Sequence, residues 1–257
     1  MSTGTTSVAM HWIDGKRADS DEHRDSVNPA TGEVIGSYAM GGPKEAHAAI
    51  EAAKRAFADP AWRTNRLPRA RVLNRMADRF EERTDDLVEL LGLENGKTHD
   101  QGRMEVAFAP ETLRFNAALA LTDTGTNSGV TEGELSLVVR QPAGVAGIIA
   151  PWNSPVALGI RSLAPALAAG CTAVRNLPRQ TAHTNSLIAE LVGETEGLPP
   201  GSRTRSPAVT SPVTCWSGPP TCRRSASPAA HPPASRSAQR RRRTLSVSGW
   251  SSAGRRR

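Results

Sequence analysis

The residues with the strongest claim to chemistry in this 257-residue chain lie in one turn, Pro151-Trp152-Asn153-Ser154-Pro155, directly after the apolar run 145–150. A continuous apolar run of that length fits a strand covered on both faces. Ligands of parallel sheets bind beyond the carboxyl ends of such strands. Asn153 offers an amide donor there, either to a ligand or to the backbone groups of its own turn. The other reactive side chains are scattered. Cys171, Cys215 and Cys222 have no metal-ligand spacing and cannot all pair, so neither a metal site nor a disulfide framework is expected, and a cytoplasmic setting is. Cys171 falls in a short apolar strand pattern, 171–174, and is expected to be a buried, inert thiol. His47 and His183 lie on helical patterns and are expected at the surface. No His–Cys or paired-carboxylate spacing marks an acid–base pair.

The elements that must position this turn follow from periodicity. Residues 11–18 predict a short hairpin turning at Asp14-Gly15. The stretch Asn28-Pro29-Ala30-Thr31-Gly32 is a second turn signal, so an antiparallel N-terminal meander is expected. Pro43 opens a helix whose apolar positions include Ala46, Ala49, Ile50, Ala53 and Phe57, and Pro60 stops it. A longer helix follows Leu67-Pro68, carried by Val72, Leu73, Met76, Phe80, Leu87, Leu90 and Leu91 and weakened at Gly92. Residues 104–121 repeat the pattern more loosely. The charges on these helices are read as solvated faces. From Glu134 the order becomes strand, strand 145–150, helix 156–169, strand 171–174, helix 184–194. Strands alternating with helices predict a parallel α/β sheet.

Composition then divides the chain. The formal charge is +7, from 32 Lys+Arg and 25 Asp+Glu. Residues 202–257 hold 12 Arg, no Lys and no acidic residue, which leaves residues 1–201 with 20 basic against 25 acidic, a charge of −5. The later segment is rich in Ser, Arg and Pro and has too little apolar surface to offset ordering entropy, so disorder is expected over 202–257. Residues 1–10 are expected to be disordered as well. No run of 18 apolar residues is present, so no membrane span is expected. The first 15 residues lack a basic flank followed by an apolar core, so no secretory signal is expected.

The segments NPATGEVIG, LENGK, QPAGVAGIIAPWNSP, LAPALAAGCTAV and QTAHTN through GLPPG, in this order, resemble the N-terminal part of the NAD(P)-dependent aldehyde dehydrogenases. The resemblance covers roughly residues 11–201. It implies a partial aldehyde-dehydrogenase-like α/β fold with a Rossmann-type parallel sheet, and oxidation of an aldehyde to a carboxylic acid with NAD or NADP. Family chemistry runs through a thiohemiacetal on a catalytic Cys, with hydride transfer to nicotinamide. By resemblance, Asn153 matches the oxyanion-stabilising Asn, and Ile149, Ala150, Pro151 and Trp152 match the cofactor-lining segment. Asn176 stands where the family usually has a Lys that contacts the cofactor, and cannot supply its charge. Arg179 stands where a small or acidic residue is usual. Arg175 and Arg179 either meet phosphates or remain solvated loop residues. The strand within 134–141 matches a region that contributes to family oligomers, so a homo-oligomer, or pairing with an intact family member, is implied.

After GLPPG the family continues with a strand of the form VxNxVTG, then SFTGST, then LELGGK, whose Glu is the general base. None of these stands in 202–257. Codons exist for Thr221 through His231 that read VPTISFTGST two bases later. Codons for Ser246 through Arg257 read RVGLELGGKTP with the same offset. The segment 202–257 is therefore expected to be family sequence read out of frame, and the chain to be a truncated, inactive member without the nucleophile and the general base. A competing reading is a nucleic-acid binder that uses Arg240 to Arg243 and Arg255 to Arg257, with Trp216 and Trp250 for stacking. It ranks lower, because shifted GC-rich codons commonly yield basic runs.

Overall fold

The computed structural model describes residues 8–122, 125–199, 203–207 and 222–226. The element order is β1 (Val8–Ala9), β2 (His11–Ile13), β3 (Lys16–Ala18), β4 (His23–Val27), β5 (Val34–Ala39), α1 (Pro43–Ala58), α2 (Pro60–Thr64), α3 (Arg66–Glu82), α4 (Thr84–Asn95), α5 (His99–Thr122), β6 (Thr126–Thr131), β7 (Glu134–Val138), β8 (Val145–Ile149), α6 (Pro155–Ala168), β9 (Thr172–Leu177), a 3₁₀ turn Arg179–Thr181, α7 (Ala182–Gly193), β10 (Arg203–Pro207) and β11 (Cys222–Ala226). The main sheet has the order β11-β8-β9-β10-β2-β3. Strands β11, β8, β9 and β10 run parallel, and β2 joins β10 antiparallel.

The two predicted N-terminal hairpins form, but they do not make one meander. Asp14 and Gly15 take positive φ at the β2–β3 turn, which a two-residue hairpin requires. That hairpin extends the edge of the parallel sheet through β10. The β4–β5 pair, closed by the Asn28 turn with Gly32 N–H donating to Asn28 O at 2.8 Å, belongs to a separate sheet in which β1 adds in parallel. Val8 and Ala9 are thus a strand rather than part of a disordered leader, because β5 offers them a free edge; residues 1–7 lie outside the described residues.

Both faces of β8 and β9 are covered. On one face Ala49 and Ala53 of α1 pack on Val145 and Val174. The larger core joins Ile148 and Ala173 to Val72, Leu73, Met76 and Phe80 of α3, Leu87 and Leu91 of α4, Leu113 of α5, Leu163 and Leu167 of α6 and Leu191 of α7. The apolar period expected for one long helix is shared by two. Arg83, at φ −111° and ψ 24°, ends α3, and Asp85 and Asp86 favour the start of α4 through the positive end of its helix dipole. Pro60 both follows the end of α1 and occupies the first turn of α2, where Asp59 accepts from Ala61 N–H at 2.9 Å.

Several polar residues are inside, against the expectation of solvated helix faces. Glu94, Glu105, Arg69 and His183 are all buried. His183 sits in the first turn of α7, which is covered where its N–H reaches Glu94. Arg69 donates to the carbonyls of Ala168, Trp62, Arg63 and Asn65, at 2.9 to 3.2 Å, and so satisfies the orphan acceptors of neighbouring helix ends. Trp62 Nε1 donates to Cys171 O at 3.1 Å. Cys171 is buried as expected, one residue before β9 begins.

Strand β9 runs on to Leu177, three residues past its expected end, because its backbone pairs with β8 on one side and β10 on the other. Arg175 is therefore not in a loop. It is 4% exposed, and its Nη1 and Nη2 have no hydrogen-bond partner among the described residues. Burial alone pulls its pKa down to about 10.

Two pieces of the segment expected to be disordered are strands. Arg203–Pro207 pairs with β9 and β2, and Cys222–Ala226 pairs with β8. Open strand edges recruit any backbone with free N–H and C=O groups, whatever its side chains. The expectation of disorder for the rest of 202–257, including the two arginine runs and Trp216 and Trp250, lies outside the described residues.

Replacing Arg175, unpartnered among the described residues, by Leu is expected to stabilise the fold by about 1–4 kcal/mol. The folded chain holds the Arg175 proton less tightly than the unfolded chain, so the penalty is fully present at neutral pH and fades only as pH rises above 10. Urea unfolding at pH 7 checks this: the midpoint should rise, and a lowered midpoint would contradict the burial of an unpaired guanidinium.

Candidate functional site

Strands β8 and β9 are parallel neighbours, and Ile149 is the register partner of Asn176. That pairing brings the two stretches singled out in the sequence to the same carboxyl edge of the sheet. Ala150 N–H donates to Asn176 O at 3.4 Å, joining the first residue after β8 to β9. The segment 149–153 leaves the sheet there, and Asn176 through Arg179 leaves beside it.

The individual residues differ in exposure. Ala150 is buried and Pro151 and Asn176 are half-buried. Ile149 is 45% and Trp152 52% exposed. An apolar surface open to water at the carboxyl end of a parallel sheet is the expected place for a ligand. Asn153 is exposed, and its side chain makes no hydrogen bond among the described residues. Its amide is thus not spent on its own turn and remains available to an oxygen atom outside it. Arg179 is exposed at the start of the 3₁₀ turn; Arg175, two residues inside β9, is buried and out of reach of any ligand at this edge.

What the sequence did not reveal is how the turn is held. Ser154 caps α6 without a side-chain bond. The capping oxygen comes from α5 instead: Glu105 Oε1 accepts from Val156 N–H at 2.8 Å and Ala157 N–H at 3.3 Å. Lys97 pairs with the same carboxylate. At the next crossover, Glu94 accepts from His183 N–H at 2.8 Å and Thr184 N–H at 2.7 Å. The start of a helix after a parallel strand is commonly where phosphate groups bind. Here both such starts already face a carboxylate, so neither α6 nor α7 offers a free anion site. No sequence pattern announces these contacts, because the donors and acceptors are 51 and 89 residues apart.

A dinucleotide cofactor can be tested against these residues. Ile149 and Trp152 give an apolar surface that fits a flat nucleoside, and Asn176 can hydrogen-bond sugar hydroxyls. The diphosphate is matched less well: α6 is closed by Glu105, and Arg179 is the exposed cation among the residues singled out at this edge. The described residues thus fit the nucleoside and not its diphosphate.

Residues 15–204 match the aldehyde dehydrogenase family. A glutarate-semialdehyde dehydrogenase of Pseudomonas aeruginosa is 39% identical over 194 residues, which are 74% of this chain and 40% of that protein. The 2-aminomuconic semialdehyde dehydrogenase of Homo sapiens is 35% identical over 204 residues, 77% of this chain and 41% of that one. Among solved structures, HpcC from Thermus thermophilus superposes with a TM-score of 0.75 at 35% identity, over 79% of this chain and 39% of that chain. Betaine aldehyde dehydrogenase from Staphylococcus aureus, in complex with NAD+, gives a TM-score of 0.74 at 30% identity, over 78% of this chain and 40% of its own. The chain therefore spans about 40% of the length of the relatives it matches. With the ordered motifs, the parallel sheet and the turn at its carboxyl edge in agreement, the chain belongs to the aldehyde dehydrogenase family.

Proposed function

We propose that this chain carries the N-terminal part of an NAD(P)-dependent aldehyde dehydrogenase, with Asn153 as its oxyanion donor, and that it does not itself turn over aldehyde. The observation that carries the first half is the juxtaposition of the 149–153 segment with Asn176 at one sheet edge, with the Asn153 amide unbonded among the described residues. An amide N–H aimed at a developing alkoxide stabilises it, provided a thiolate attacks the carbonyl within reach. NAD or NADP, when bound, supplies the hydride acceptor. Ile149, Ala150, Pro151 and Trp152 would hold its nucleoside, with Asn176 and Arg179 beside it. Two of the relatives are named for semialdehydes, and an aldehyde is the proposed substrate class here.

The second half rests on residues 202–257. The one thiol of residues 1–201, Cys171, is buried just before the start of β9, whereas the turn follows the carboxyl end of the parallel strand β8. In the out-of-frame reading, the Gly-rich segments and the general base are encoded but not translated. Strand β10 follows GLPPG at the place where the family continues with VxNxVTG, and β11 falls where the shifted frame reads PTISF. Losing one member of a catalytic constellation removes most of its rate.

Nucleotide sequencing around Gly201 tests the frame. A single-base change should restore the SFTGST and LELGGK segments, and a read in which none does would overturn it. Purified protein should give no aldehyde-dependent NADH formation; measurable turnover would refute the proposed inactivity. In the frame-restored chain, Asn176→Lys should lower the cofactor KM about tenfold, since a hydrogen bond to a charged group contributes about 1.5–3 kcal/mol.

We also propose a cytoplasmic oligomer built through the β6–β7 hairpin. Val130, Leu135, Leu137 and Val138 are all at least 60% exposed, and an isolated two-stranded hairpin is marginal in water. The strand itself spans 134–138, shorter than the 134–141 expected. Joint Leu135→Lys and Leu137→Lys substitution should convert an oligomer to monomer in sedimentation velocity. An unchanged sedimentation coefficient would remove the hairpin from the interface.

A further inference from the structure

The segment Leu93-Glu94-Asn95-Gly96-Lys97 is one of the family-like stretches, yet nothing in the proposed chemistry uses it. It forms the end of α4 and the turn beyond it. Gly96 lies in the left-handed region at φ 66°, with its N–H on Gly92 O and the Lys97 N–H on Leu91 O. This cap reverses the chain, and the side chains on either side of Gly96 reach the same loop. Asn95 Nδ2 donates to Trp152 O at 2.9 Å. Lys97 Nζ reaches Ser154 Oγ at 3.5 Å and pairs with Glu105, which holds the N–H groups of Val156 and Ala157.

The Asn95 contact differs from the two carboxylate caps. Trp152 O is not an orphan group of any helix end, and Trp152 is half exposed, so water could serve that carbonyl as well. Only Asn153 separates the two points that Asn95 and Lys97 grip. Its own side chain has no hydrogen bond among the described residues, so its direction is set by the backbone on either side. We propose that Asn95 and Lys97 are positioning residues for Asn153: they fix Trp152 and Ser154 so that the Asn153 amide is presented without being held. This rests on the reading of Asn153 given above. The test reads the geometry of the turn rather than turnover, so each can fail separately.

The full chain labelled with 5-fluorotryptophan provides the readout, with Trp152→Phe and Trp62→Phe assigning their signals among the five ¹⁹F resonances. Asn95→Asp is isosteric and removes the donor. It should shift or broaden the Trp152 signal while the buried Trp62 signal stays in place. The amides of Trp152, Asn153, Ser154, Val156 and Ala157 should exchange about tenfold faster with those of α3 unchanged. Lys97→Met should reproduce the pattern, and Lys97→Arg, which keeps the donor, should restore it. A merely structural role would move the Trp62 signal and α3 exchange together with the turn, which would overturn the proposal. So would an unaltered Trp152 signal with unaltered exchange in both Asn95→Asp and Lys97→Met. If Asn95→Asp does not fold, Lys97→Met against Lys97→Arg decides the question.

Discussion

Two buried carboxylates hold this fold to its helical layer. Glu94, at the end of α4, accepts from the N–H groups of His183 and Thr184, from Thr184 Oγ1 at 2.8 Å and from Ser26 Oγ at 3.0 Å. Glu105, on α5, does the same for the first N–H groups of α6. A helix leaves four N–H groups without partners at its start, and burying them unpaired is costly. Both crossover helices begin under other helices, away from water, so their donors need acceptors supplied from elsewhere in the chain. Once those acceptors are charged and in place, the loops at the carboxyl ends of β8 and β9 are fixed, and with them the edge where Ile149, Trp152, Asn153 and Asn176 gather.

The same reasoning separates two buried arginines. Arg69 is satisfied by four carbonyls at helix ends, and its burial links α2, α3 and α6. Arg175 has no such acceptors for its Nη atoms among the described residues and stands in the strand that carries Asn176. A satisfied buried cation organises its surroundings, whereas an unsatisfied one weakens them. The sheet is thus well held at its helix starts and weakened in the middle of β9. Strand β10, between β9 and β2, and the edge strand β11 come from a segment whose composition does not favour strands, which leaves backbone pairing to β8, β9 and β2 as what orders them.

Much of this was legible in the sequence wherever the cause is local. The Asn28 turn, the Pro43 start, the 3.6-residue period of α3 and the apolar run of β8 all depend on neighbours in the chain. The turn at 151–155 was legible because it follows that run. The rest depends on distance. Glu94 and Glu105 look like charges on a solvated helix face until α6 and α7 are laid against them. Arg175 reads as a loop residue until pairing with β10 lengthens β9. The break at Arg83 carries no Gly or Pro, and the end of α4 is marked by Gly96 rather than by Gly92. For the site, the sequence supplied Asn153 and its neighbours, while Asn95, Lys97 and Glu105, which hold them, required the fold.

If the carboxylate caps carry the architecture, removing one must cost more than an ordinary surface change. Equilibrium urea unfolding of Glu94→Leu measures this most directly, since the substitution strands the donors of His183, Thr184 and Ser26. The expected loss is about 3 kcal/mol. An unfolding midpoint equal to that of the unaltered chain would contradict the central role given to these buried carboxylates.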